Sequence, residues 1–181
     1  MTIPSDGPAL DRLWAGWRRA FVTSVGDGVG PAPECVFCAI LASGLPDDET
    51  HLLWRHPRGL AIAILNLYPY TSGHLMVMPT RHVGEVEEVT GEESAALWTG
   101  VSAAVGALKA AYRPDALNLG ANVGRAAGAG VPGHFHVHVV PRWNGDTNFM
   151  TTVADARVLP EALTDTGARL RAAWPVPPEV S

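Results

Sequence analysis

"GHFHVHVVPRW", residues 133–143, sets His134, His136 and His138 at every second position with apolar residues between them. Side chains alternate across a strand, so this spacing predicts a β-strand with three imidazoles on one face and Phe135, Val137 and Val139 on the other. The apolar face reads as core. The histidine face calls for its own explanation, because an imidazole titrates near neutrality and offers a donor and an acceptor that need partners when buried. A single metal ion does not explain all three. At about 3.3 Å per residue the Cα atoms of His134 and His138 lie about 13 Å apart, too far for bonds near 2 Å to one ion. The three rings must divide their labour.

Working outward, "RAAGAGVPG" (125–133) is a glycine-rich loop before the histidine strand, and "ALNLGANVG" (116–124) reads as a further long strand. The loop lacks the Gly-Lys-Ser/Thr ending of a phosphate-binding loop and leads into a strand, not a helix, so alone it is a weak signal. Its glycines would nonetheless let main-chain amides approach an anion closely. "LAIAILNL" (60–67) and "HLMVMP" (74–79) read as strands joined by the turn formers of "YPYTSG", a predicted hairpin. Thr90 with Glu93 makes a capping box opening an alanine-rich helix that Pro114 closes. A short amphipathic helix is predicted over 9–22, a Gly/Pro-rich connector over 24–34, and a C-terminal helix over 160–173 before a proline-bearing tail. Helices and strands do not alternate regularly and the strands are close in sequence, which favours an α+β fold with an antiparallel sheet.

The chain has 181 residues, is 47% hydrophobic and 17% charged, and fits a single domain spanning 1–181. Its polar start and lack of a long apolar run predict a soluble, cytoplasmic protein with no membrane partner. Net charge is −5 and Lys109 is the one lysine, so nucleic acid is disfavoured as a partner. A small phosphorylated ligand needs only local donors, and Arg81, Arg125 and Arg142 lie near the motifs. Cys35 and Cys38, the two cysteines, have the spacing that bites one zinc ion. A redox pair or two buried thiols are the alternatives. A closed site needs two more ligands, for which His134 and His82 are candidates.

"HFHVHVV" matches the alternating signature of the histidine triad superfamily of nucleotide hydrolases and transferases. "CVFCAI", "LNLYPYTSGHLMVMPTRH", "LNLGANVGRAAGAG" and "PRWNGDTNFM" agree in order and spacing, so the resemblance covers about residues 9–155, with the motif-bearing core at 35–155. It resembles the fragile-histidine-triad branch, and within it bacterial diadenosine tetraphosphate phosphorylases and hydrolases. The resemblance implies a homodimer of α+β protomers with five-stranded antiparallel sheets and flanking helices. It implies that His136 attacks the α-phosphate of a dinucleoside polyphosphate and that His138 orients it, with no catalytic cofactor required. It implies a structural zinc on Cys35, Cys38, His82 and His134. Asn66 falls where relatives hold the ribose and Asn122 where an amide contacts phosphates; Arg142 and Trp143 fall in the extension after the triad. Where relatives often have a hydroxyl before the triad this chain has Ala129-Gly130, leaving the backbone of Gly128 and Gly130 as donors. Inorganic phosphate is the favoured acceptor, water the other. A nucleoside phosphoramidate or aminoacyl-adenylate hydrolase, and a nucleotide-binding protein with incidental activity, are the competing readings.

Overall fold

The protein is described by a computed structural model covering residues 35–146 and 161–175. The elements in chain order are α1 (Val36–Ala42), β1 (Leu52–Arg55), β2 (Ala61–Leu65), β3 (Leu75–Pro79), α2 (Gly91–Tyr112), β4 (Ala116–Gly120), β5 (Val137–Arg142) and α3 (Leu163–Ala173). The strands form one five-stranded sheet in the order β1-β2-β3-β5-β4, every pair antiparallel. The predicted hairpin is β2 and β3, paired from Ala61↔Pro79 to Leu65↔Leu75.

Alternation sorts the core onto two faces. Ala63, Leu65, Leu75, Val77, Phe135, Val137 and Val139 are buried against Leu97, Val101, Ala104 and Leu108 of α2 and Leu170 of α3. Ile62, Ile64, Met76 and Met78, one residue out of phase, pack with Leu52 and Phe37 beneath α1. His138 pairs with Met76 in register, and directly opposed residues share a face. The histidine face is therefore the α1 face.

The capping box of α2 is complete: the Thr90 hydroxyl accepts from Glu93 N–H while the Glu93 carboxylate accepts from Thr90 N–H. α2 ends at Arg113, in the left-handed region just before Pro114. Gly100 lets α2 lie close to the sheet, since a Cβ there would sit 2.7 Å from the Trp54 ring and 2.8 Å from Val77. α3 docks through Leu170, a Tyr112 hydroxyl donating to Glu161, and Arg171 Nη1 donating to the Leu52 carbonyl at 2.9 Å. Trp174, just past α3, stacks on Trp54 with ring centroids 6.2 Å apart. Burial, then Glu161, push the Tyr112 phenol up to about 12.

Several boundaries differ from the sequence reading. The strand expected over 116–124 stops at Gly120, where its pairing with β5 ends at His138. The ladder of β5 begins only at Val137: His134 closes a turn onto the Val131 carbonyl and Phe135 N–H donates to Val83, so the triad's first two histidines precede the paired segment. "CVFCAI" is helical, β1 is an additional strand, and α3 starts at Leu163. The helix expected over 9–22, the connector over 24–34, residues 147–160 and the tail from 176 on lie outside the described residues. No described helix is long and apolar enough to cross a membrane.

Candidate active site and metal centre

Two clusters of side chains sit on the α1 face, and His134 and His136 adjoin across their boundary. Cys35, Cys38, His82 and His134 bring their ligand atoms within 4.8 Å of one another. A tetrahedral zinc with bonds of about 2.3 Å to sulfur and 2.0–2.1 Å to nitrogen needs sulfur-to-nitrogen spacings of about 3.6 Å. Cys35 Sγ lies 3.4 Å and Cys38 Sγ 3.8 Å from His134 Nδ1, and Cys38 Sγ lies 3.3 Å from His82 Nδ1. Four soft and borderline donors at that spacing fit zinc. Two further details agree. His134, fully buried, donates from Nε2 to the Pro79 carbonyl at 2.8 Å, which leaves Nδ1 unprotonated and aimed at the thiols. Cys35 also holds the N-cap position of α1 without a side-chain cap bond, as expected of a thiol turned toward a metal.

His136 is buried, and its Nδ1–H donates to the His134 carbonyl at 2.7 Å. Its lone pair is thereby on Nε2. Burial holds its pKa below the ordinary imidazole value, opposed by that carbonyl bond. Phe37, between the two cysteines, packs edge-on against both His134 and His136, at 5.4 and 5.6 Å between ring centroids. His138 stands edge-on to His136 at 4.9 Å. Burial, and then the neighbouring His136, push it down to about 4.

A fourth histidine, not picked out from the sequence, completes this cluster. His74 is fully buried, and its Nε2 lies 3.0 Å from His138 Nδ1. Tyr70 N–H donates to His74 Nδ1 at 3.1 Å, so the proton of neutral His74 sits on Nε2 and is given to His138 Nδ1. His138 is left with its own proton on Nε2. Asn66 joins the same group: its amide nitrogen approaches the His74 ring at 3.3 Å while its oxygen accepts from Tyr68 N–H.

The other expected residues divide. Asn122, Gly128 and Gly130 lie on the loop that leaves β4 beside His138, but Gly128 N–H already donates to the Arg125 carbonyl at 3.0 Å. Arg142 is held by a bidentate pair with Asp146 and by Asn118, and Trp143 packs edge-on against Tyr112 at 6.5 Å. Arg81, near the motifs and open in principle to a phosphate, is engaged by Glu93.

Comparison with known proteins agrees with this geometry. The HIT domain family matches residues 56–145. "AP-4-A phosphorylase" of Mycobacterium tuberculosis is 40% identical over 169 residues, 91% of this chain and 85% of that one. "Bis(5'-nucleosyl)-tetraphosphatase [asymmetrical]" of Schizosaccharomyces pombe is 36% identical over 87 residues, 48% of this chain and 47% of that one. A zinc-bound histidine triad family protein from Mycobacterium smegmatis superposes with a TM-score of 0.62 at 31% identity, covering 77% of this chain and 92% of that one. The paired strands, the clustered imidazoles and these likenesses converge: the chain belongs to the histidine triad, or HIT, family of enzymes.

Proposed function

We propose that the chain cleaves dinucleoside polyphosphates such as diadenosine tetraphosphate at the α-phosphate, through a nucleotidyl intermediate on His136, with inorganic phosphate as acceptor. The observation that carries this reading is the tether of His136: with Nδ1–H committed to the His134 carbonyl and burial favouring the neutral ring, Nε2 is a nucleophile that needs no prior deprotonation. Support for the substrate is the likeness to the mycobacterial phosphorylase over 91% of the chain.

Nε2 of His136 forms a bond to the α-phosphorus as the bridging P–O bond breaks. ATP leaves and AMP stays on the ring. His138, its Nε2–H set by His74, donates to an oxygen of the leaving polyphosphate. An oxygen of inorganic phosphate then displaces the histidine and releases ADP. Asn66 holds the ribose, Asn122 and the Gly130 backbone face the phosphates, with Gly128 N–H kept by the Arg125 carbonyl, and Arg142 and Trp143 shape the turn after β5. Zinc on Cys35, Cys38, His82 and His134 supplies a cross-link between α1 and the end of β3. We also propose a homodimer: edge strand β4 is largely exposed, with Leu119 at 48% and Val123 beyond it at 43%.

Water as acceptor is the second reading, supported by the tetraphosphatase likeness. Product chromatography with and without phosphate separates the two. ADP plus ATP, formed only with phosphate, is expected; phosphate-independent AMP plus ATP overturns phosphorolysis. Labelled AMP trapped on protein after an acid-free quench is expected from the intermediate. His136→Asn should lower turnover at least about a thousandfold, and near-normal turnover overturns the nucleophile.

A further inference from the structure

The metal ligands are unequally supported. His134 is fully buried with its distal nitrogen on the Pro79 carbonyl, and Cys35 and Cys38 ride on α1. His82 is exposed, on the segment that leaves β3, and its ring donates to no carbonyl or carboxylate among the described residues. Something other than its own imidazole must hold this arm.

The neighbouring residue does so. Arg81 Nε and Nη2 grip the two carboxylate oxygens of Glu93 at 2.8 Å each, and Nη2 also donates to the Glu88 carbonyl at 2.8 Å. Glu93 is the buried member of the α2 capping box and also accepts from Thr90 N–H at 2.9 Å. The planar fork of arginine fixes both distance and angle when it binds a carboxylate through two nitrogens. On the other side, Val83 accepts from Phe135 N–H at 2.6 Å. His82 is thus clamped between a bond to the histidine segment and a bidentate pair to the start of the longest helix.

We propose that Arg81 and Glu93 are positioning residues for the metal centre, holding His82 in its ligand pose by locking the chain after β3 to the capping box of α2. The proposal rests on the zinc reading above. A helix cap needs only Thr90 and Glu93; the added bidentate arginine, next to the least supported ligand, is what the cap alone does not require. Groups bonded directly to a ligating imidazole are worth about 10- to 100-fold in metal affinity, and a clamp one residue away is expected at the lower end of that range.

The test uses the zinc-loaded full chain and follows release of zinc to a chromogenic chelator, alongside the melting temperature of the metal-free protein. Arg81→Ala, Arg81→Lys, which keeps the charge but not the fork, and Glu93→Gln, which keeps the cap, are compared with Arg58→Ala. The last breaks the exposed Arg58–Glu92 pair on the same helix start without touching the His82 arm. Expected are release rates raised about tenfold or more in the three clamp variants, least in Arg81→Lys, and unchanged in Arg58→Ala. Unchanged release from Glu93→Gln and Arg81→Lys, with melting lowered equally with and without metal, reduces the pair to a folding contact and overturns the proposal. An unmodified chain that takes up no zinc overturns the metal reading itself, and this inference with it.

Discussion

His74 has the least conspicuous sequence context of the five histidines on the α1 face, yet it decides where the proton of His138 resides. It accepts from Tyr70 N–H and passes its Nε2 proton toward His138, so a side chain without a second nitrogen leaves His138 free to take the other tautomer. His74→Leu is expected to lower kcat about a hundredfold, the lower end of what a positioned proton donor contributes, with little change in KM, in steady-state assays. The ordinary imidazole value of 6.5 falls to about 4 for His138. The unfolded chain therefore binds that proton first, and the stability this residue contributes is present above pH 6.5 and lost as pH falls toward 4. The acid limb of kcat/KM should lie below pH 6.5, and a limb at or above that value would contradict a neutral His138 held by burial. The triad was legible because three histidines in period two have no bland explanation. His74 was not, because it stands alone before a strand, and only the register of β3 against β5 brings it to His138.

Among the elements, α2 announced both its ends, through Thr90 and Glu93 at one and Pro114 at the other, and it runs between them as expected. α1 and β1 did not. The seven residues of α1 follow Cys35, an N-cap residue whose side chain makes no cap bond, so the usual start signal is absent. β1 is four residues long, follows His51 at φ 60°, and carries a register shift between Leu52 and Trp54; too few positions remain to show a period. Gly100 was equally silent, since its importance is a distance to Trp54 that belongs to the assembled fold. Gly100→Ala should destabilise by about 1–3 kcal/mol in urea titration despite the better helix propensity of alanine, because the Trp54 ring and Val77 must move. At the start of the same helix, bonding to Arg81 holds the Glu93 carboxyl down to about 2 against an ordinary 4.5. Its contribution is present above pH 4.5 and is lost as pH falls through about 2. Glu93→Gln should therefore flatten the acid-unfolding curve over that window.

At the scale of the whole molecule, the sheet carries the Cys35, Cys38, His82 and His134 cluster and the buried His136 on one face and its main helical core on the other. Zinc removal should therefore disturb α1 more than α2. Chelation is expected to lower the melting temperature by several degrees, with hydrogen exchange rising first over 35–42, and metal-free protein that melts like the holo form would contradict a structural zinc. Light scattering is expected to give twice the 19.1 kDa of one chain; a monomer at micromolar concentration would contradict the proposed dimer. The order of the strands was beyond the sequence, which shows which segments are extended but not which neighbour each one chooses. The Gly120↔His138 register, which starts the glycine loop beside the triad's third histidine, follows from that choice.

The stack of Trp54 on Trp174, with rings inclined by 20°, joins the first strand of the sheet to the last described turn of the chain. Two indoles this close couple their electronic transitions, so the pair should produce an exciton couplet in circular dichroism. Its amplitude reports whether α3 is seated, independently of helix content. During a thermal scan, loss of the couplet ahead of the backbone signal would mark the C-terminal helix as the first part of the molecule to come away, and Trp174→Phe would erase that signature while leaving the rest of the spectrum in place.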